Sequence, residues 1–339
     1  MFQFPVLIGD IGGTNARFAL IAEPGGAYVT LGKRPTADHR DPSTAIAAAL
    51  GGTSAARPRT ALLAVATRVG APVVHLTNAA WTIDAERIGR DLDIDRVVLM
   101  NDYVPVAAAL SNPAPGFSVP LGVAMPSGGG VRLVLGPGTG LGAAALMPVG
   151  ERFAVLPTEA GHVEFGACDP EDFPLWPQLE RVHARLTSEA VLSGPGLARL
   201  YRALAIRCGA EPLRLTPAEI VGRGLAGADD IASATVRQFA RLLGRFAGDL
   251  ALIFSATGGV FVAGGIAPRM IPMLAEGNFR SAFERKAPFE ELVRNIPTSV
   301  VVDPEPGLIG LRCIAAEPSR FIFDWSEWCR LGAVPLSRR

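Results

Sequence analysis

An α/β architecture of two related domains is the fold class this sequence predicts, and two observations carry it. A glycine-rich turn between apolar strands, Gly9-Asp10-Ile11-Gly12-Gly13-Thr14-Asn15, opens a series of strand and helix patterns. The polar, Pro- and Gly-rich segment Ser111 to Gly130 then intervenes, and a strand from Val131 restarts the series with a second turn, Gly136-Pro137-Gly138-Thr139-Gly140-Leu141-Gly142. Its 339 residues suffice for about two domains with full cores.

The elements follow from periodicity and punctuation. Pro5 to Ile8 predicts the first strand and Phe18 to Ile21 its hairpin partner. Ser43 to Leu50 predicts a helix with Ser43 as N-cap, followed by a buried strand at Ala61 to Ala66 and a short one around Val73 to Leu76. Ile83 to Asp91 predicts a helix, Arg96 to Met100 a strand, and Tyr103 to Leu110 a helix that tolerates Pro105 in its first turn. After the second turn come the strands Ala143 to Leu146 and Phe153 to Leu156. Ser193-Gly194-Pro195-Gly196 then separates a short helix from Leu197 to Cys208, and Ile231 to Phe254 predicts a long helix. The strand Val260 to Ala263 ends at Gly264-Gly265, before a helix from about Pro268.

Composition narrows the function. Lysine plus arginine equals aspartate plus glutamate, 32 of each, so no net field points to nucleic acid or an anionic membrane. The amino terminus has no signal-peptide pattern, and the longest apolar stretch, Ala247 to Ala267, is broken by Asp249 and glycines. A soluble cytoplasmic protein is expected. Cys168, Cys208, Cys313 and Cys329 are widely spaced and read as reduced, mostly buried thiols with no zinc site.

The glycine turns leave backbone N–H groups uncovered, which suits phosphate oxygens, while either segment alone reads as well as an ordinary hairpin turn. Gly138 to Ala143 also fits the dinucleotide pattern G-x-G-x-x-A, but strands follow where that pattern demands a helix. No P-loop sequence is present. Asp10 would repel phosphate unless a cation lay between them, so Mg²⁺ bound through Asp10, by way of water, is expected. Gly264 and Gly265, at the end of a buried strand, allow close approach of a flat ligand such as a purine, although by themselves they read first as a close packing contact between strand and helix. Asn101-Asp102 ends another strand, where a carboxylate can accept a substrate proton; taken in isolation, Asp102 reads first as the cap of the next helix. Glu159-Ala160-Gly161-His162 and Ser188-Glu189 supply a carboxylate and imidazole set suited to a polyol, or serve as ordinary turn and first-turn residues.

In this order the motifs resemble the bacterial glucokinase family, within the hexokinase, actin and heat-shock ATPase superfamily. The resemblance runs from Pro5 to about Ile314 and rests on Gly9 to Arg17, Asn101-Asp102, Gly138 to Gly142, Glu159 to His162, Ser193 to Gly196, Val260 to Ile266, and Pro306-Gly307-Leu308-Ile309-Gly310. It implies a two-domain actin-like ATPase (ribonuclease H-like) fold with a cleft between a small and a large α/β domain. The small domain would span residues 1–110, completed by a helix at about 306–320; the large one would span 111–305. Residues 321–339, rich in aromatics, lie past the resemblance and receive no role from it.

The implied activity is ATP-dependent phosphorylation of D-glucose to glucose 6-phosphate, the first step of glycolysis, by a homodimer. Asp102 would be the catalytic base. Asn101, Asp102, Glu159, His162 and Glu189 would bind glucose, and Gly9 to Asn15, Gly138, Thr139 and Gly140 the ATP phosphates. Two positions depart from the family pattern: Ala160 replaces a glycine, and Thr67-Arg68 stands where relatives carry a small residue and proline. The rival readings are a ROK-type kinase for another hexose or an amino sugar, whose cysteine-rich zinc motif is missing here, and a non-enzymatic actin-like ATPase switch. A sugar-responsive repressor would need a DNA-binding domain ahead of the first strand.

Overall fold

The computed structural model describes residues 2–52, 57–76, 79–122 and 129–330. The chain forms two compact units. One comprises Met1–Pro113, Leu146–Pro157 and Pro304–Arg339; the other comprises Ala114–Ala145 and Thr158–Asp303. Part of the segment expected to divide two domains, residues 123–128, lies outside the described residues, as does 331–339 of the tail.

In chain order the first stretch contains β1 (Val6–Ile11), β2 (Asn15–Ile21), β3 (Tyr28–Pro35), α1 (Pro42–Leu50), β4 (Thr60–Val65), β5 (Val73–His75), β6 (Thr82–Asp84), α2 (Ala85–Asp91), β7 (Arg96–Asn101) and α3 (Tyr103–Ala109). Next come β8 (Ser118–Pro120), β9 (Arg132–Pro137), β10 (Leu141–Val149), β11 (Arg152–Thr158), α4 (Ser188–Val191), α5 (Gly194–Arg207), α6 (Pro217–Leu225), α7 (Asp230–Ile253) and β12 (Gly259–Val262). The chain continues through α8 (Ile271–Ala275), α9 (Asn278–Glu284), α10 (Glu290–Arg294), β13 (Thr298–Val301), α11 (Pro306–Ala316), β14 (Phe321–Ile322) and β15 (Ser326–Cys329).

The first unit is built on a mixed sheet ordered β15-β7-β4-β1-β2-β3. β1, β4 and β7 run parallel and in step, so that Ile11 pairs with Val65 and Val65 with Asn101. Their carboxyl ends therefore emerge side by side, the edge at which α/β sheets collect ligands. Leu7, Ile11, Phe18, Leu63, Val97 and Leu99 form the core beneath them. The tail joins this unit through β15, antiparallel to β7, and β14, parallel to β11.

In the second unit the strand order is β10-β9-β12-β13-β8, with β9, β12 and β13 parallel. The helix α7 lines its core with Phe239, Leu243, Phe246 and Leu250. A buried carboxylate, Asp172, is met by Arg241, by Arg245 at 3.1 Å and by Gln238 at 2.9 Å, pairing that a fully buried charge requires.

Several expected boundaries shift for identifiable reasons. Asp41 rather than Ser43 caps α1, through a reciprocal capping box with Thr44 that places Pro42 at the first helical position. α2 begins only at Ala85, because Thr82–Asp84 is used in pairing with Val73–His75. Ser193 caps α5 directly and Gly194 is its first residue, so Gly-Pro-Gly starts that helix instead of preceding it. The cysteines are not mostly buried: Cys168 and Cys208 are exposed, Cys313 and Cys329 half-buried.

Candidate active site

Within the first glycine motif the residues divide sharply. Gly9, Asp10 and Ile11 belong to β1 and Asn15 to β2, leaving Gly12-Gly13-Thr14 as the turn. Ile11 is fully buried, and a Cβ on Gly9 would press on Leu63 and Phe18, so packing by itself requires glycine at position 9. The turn is fixed by Gly12 N–H donating to the Asn15 carbonyl (2.9 Å) and by Thr36, which donates from its N–H to Thr14 (3.0 Å) and from its hydroxyl to Gly13 (2.8 Å). Gly12 does not need a left-handed φ.

Asp10 projects beside this turn, half-buried, with its carboxylate 3.6 Å from Arg17. Burial pushes its pKa up; Arg17 works against that and the charge of Glu305 adds to it. The amino end of α11 comes close, since a Cβ on Gly307 would stand 3.2 Å from the Asp10 carboxyl carbon. Among the described residues no group of three His, Cys, Asp or Glu side chains could hold a metal unaided. The hard carboxylate of Asp10 next to a glycine turn fits Mg²⁺, which takes one or two carboxylates and fills its octahedron with water and phosphate oxygens.

At the end of β7 two neighbouring residues play different parts. Asn101 Oδ1 accepts the Tyr103 N–H (2.9 Å), and its Nδ2 donates to the Thr67 carbonyl beyond β4 (3.1 Å). Asp102 occupies the N-cap position of α3 in helical geometry, yet its side chain makes no capping hydrogen bond. Burial, then the charges of Asp102 and Asp10, push the Tyr103 phenol above its ordinary range, which places its ring in the field of both carboxylates. Arg68, which follows Thr67, is exposed.

The second unit gathers the remaining candidates. Its turn is Gly138-Thr139-Gly140, between β9 and β10, closed by Gly138 N–H donating to the Gly140 carbonyl (2.8 Å). Gly194, at the start of α5, donates to the Gly138 carbonyl (2.8 Å). Gly264 follows the adjacent parallel strand β12; its φ is +82°, and a Cβ there would meet the Pro137 carbonyl at 2.5 Å. Gly264 thus packs closely on the strand that leads into the second turn, while a Cβ on Gly265 would meet open space.

Glu189 lies in the first turn of α4, capped by Thr187. Although distant from both glycine turns in the sequence, it reaches the second one: its Oε2 accepts the Leu141 N–H at 2.7 Å. Leu141 also faces Gly161, where a Cβ would run into the Leu141 carbonyl. Gly161 belongs to the single helical turn Ala160–His162, and Glu159 Oε2 lies 3.8 Å from His162 Nε2. Both side chains are exposed. Ala160, the departure from the family's glycine pair, is accommodated in the core, whereas Gly161 could not be replaced without movement. Motif reading missed Thr36 and gave no role to Leu141 or Thr67, which it quoted only as parts of motifs, because each acts largely through its main chain or braces one.

The glucokinase family profile matches residues 7–318. The chain is 42% identical to a glucokinase of Sinorhizobium fredii over 320 residues and 40% identical to one of Mesorhizobium japonicum over 319, each alignment covering 94% of both proteins. The crystal structure of a glucokinase from an Antarctic psychrotroph aligns with a TM-score of 0.78 at 34% identity, over 92% of this chain and 99% of that one. A ROK family glucokinase from Streptomyces griseus, in complex with glucose and AMPPNP, shares the fold at 21% identity, with a TM-score of 0.63 over 93% and 98% of the two chains.

Proposed function

The chain belongs to the glucokinase family, enzymes that phosphorylate glucose, and from that premise we propose how its residues divide the work, with Asp102 as general base toward the glucose 6-hydroxyl. The observation that carries this assignment is the separation of roles at the end of β7. Asn101 satisfies the backbone of α3, so the neighbouring carboxylate is spared the capping task that would compete with proton acceptance.

ATP is the donor in this reading. The turns Gly12 to Thr14 and Gly138 to Gly140 present main-chain donors to its phosphates from Gly13 and Thr14 and from Thr139 and Gly140, since the Gly12 and Gly138 N–H groups close their own turns. Gly264 and Gly265 line the base, with open space at Gly265. Phosphoryl transfer passes through a loose transition state, so position and charge neutralisation carry most of the acceleration. Mg²⁺, held through Asp10, would supply the neutralising charge. Asn101, Glu159, His162 and Glu189 hydrogen-bond the sugar hydroxyls and orient the 6-hydroxyl toward Asp102. Holding the acceptor in place also disfavours transfer to water.

The test is a hexose panel with ATP and Mg²⁺ in which sugar phosphate and free phosphate are measured separately. Glucose 6-phosphate should form with little free phosphate, and Asp102→Ala should lower turnover by roughly 10² to 10⁴ while the protein stays folded. Near-normal turnover in that variant would return Asp102 to a structural role. Dominant release of phosphate by the unmodified enzyme would favour the ATPase switch.

A further inference from the structure

We propose that Glu189 is a positioning residue as well as a sugar ligand, and that through Leu141 it couples occupation of the sugar site to the shape of the second phosphate turn. The inference rests on the reading of Glu189 as a ligand of glucose. Its Oε2 accepts the N–H of Leu141, the residue on which the turn ends, and the same oxygen occupies the space of a Gly140 Cβ, 2.5 Å away. The turn's other end is held by Gly194 on the Gly138 carbonyl. With both ends fixed, the orientation of the Glu189 carboxylate sets the orientation of the free N–H groups between them.

The opposite side of Leu141 is committed too. Its carbonyl packs on Gly161, within the turn that carries Glu159 and His162, so one residue's main chain touches both groups of sugar ligands and closes the phosphate turn. Glu189 Oε1 has no partner among the described residues and is the oxygen available to a sugar hydroxyl. A hydroxyl bound there restricts the carboxylate's rotamers and so firms the contact of Oε2 with Leu141. The preference for glycine at 140 gains a second cause beyond an open backbone: any side chain would displace the carboxylate.

Coupling of this kind is reciprocal. If glucose tightens a nucleotide by some factor, the nucleotide must tighten glucose equally. Glucose affinity is to be measured by titration calorimetry with and without Mg²⁺ and a non-hydrolysable ATP analogue, and analogue affinity with and without glucose, in the unmodified protein, Gly140→Ala, Glu189→Asp and Glu189→Gln. The unmodified protein should show mutual tightening of about 5-fold or more, the low end of ordinary coupling. Gly140→Ala should weaken glucose although it lies in the phosphate turn, and should bring the factor close to one. Glu189→Asp, too short to span the contact, should do the same, and Glu189→Gln, which keeps an acceptor oxygen, should retain part of it.

A purely structural role would lower the melting temperature and both affinities without changing the factor, and would overturn the proposal. So would loss of analogue binding alone in Gly140→Ala, or independent binding of the two ligands in the unmodified protein. Failure of the unmodified protein to bind glucose at all would instead refute the sugar-kinase reading, and this inference with it.

Discussion

Replacing Gly310 with alanine should damage both stability and turnover, although Gly310 lies outside every site assigned above. It sits on α11, where a Cβ would stand 2.8 Å from the Cα of Pro105 in α3 and closer still to the Pro105 carbonyl. Carbon pairs settle at about 3.5 to 4.0 Å, so the two helices must part by roughly 1 Å. Both surfaces are backbone, which no rotamer change can withdraw. Overpacking of this kind costs about 1 to 3 kcal/mol, here toward the upper end, and alanine's better helix propensity returns at most about 1 kcal/mol. A net loss of about 2 kcal/mol corresponds to a fall of roughly 4 to 8 °C in melting temperature for a domain of this size.

Because α3 starts immediately after Asp102, the same displacement moves the proposed base, and misplacement by about 1 Å can cost on the order of 10² in rate. The control is Gly222→Ala in α6, an exposed glycine with open space around it, where alanine should stabilise by about 0.4 to 1 kcal/mol. Thermal melts and steady-state kinetics on the two variants decide the matter. If Gly310→Ala melts with the unmodified protein and keeps its turnover, the close approach of α11 to α3 does not position Asp102.

Two further outcomes follow from the first unit. Asp10 has a folded-state pKa raised mainly by burial, so the native state holds its proton more tightly than the unfolded chain and loses stability as pH rises from the unfolded value toward the folded one. Asp10→Asn should therefore melt higher than the unmodified protein at pH 7 without added divalent metal, with the gap closing near pH 4, while phosphoryl transfer is lost; a lower melting temperature at pH 7 would show that the ion pair with Arg17 outweighs burial. Gly89→Ala would drive a methyl into the Trp328 ring and should destabilise by about 1 to 3 kcal/mol in denaturant titration, with partial rescue by Trp328→Leu; additive effects would mean that β15 does not pack there.

How much could be read from the sequence depended on how local the cause was. The strand end bearing Asn101 and Asp102 was legible because an apolar run terminates there, whereas Asp10, read as part of the glycine turn, lies within β1, which pairing with β2 and β4 carries on to Ile11. The starts of α1 and α2 were misplaced because the deciding interactions, a reciprocal cap from Asp41 and a strand pairing by Thr82–Asp84, compete with equally good local signals. Glycine runs were the least informative letters. Gly9 answers to Phe18 and Leu63, Gly161 to Leu141 and Gly140 to Glu189, whereas Gly264, with its positive φ, also demands glycine for its own backbone.

The same distinction explains why the sugar and phosphate residues looked separate in the sequence. Glu189 is 48 residues from Leu141, with the chain between them running through β10, β11 and a long irregular segment, and no periodicity records a contact made by a main-chain N–H. Yet that contact gives the carboxylate a fixed seat, and a ligand that must discriminate by hydrogen bonds needs partners whose rotamers are already held. A phosphate turn has the matching need, since uncovered N–H groups bind an anion well only if they stay aimed. Seating one carboxylate on the turn meets both needs with one hydrogen bond, so a substitution at Glu189 should not leave nucleotide binding untouched.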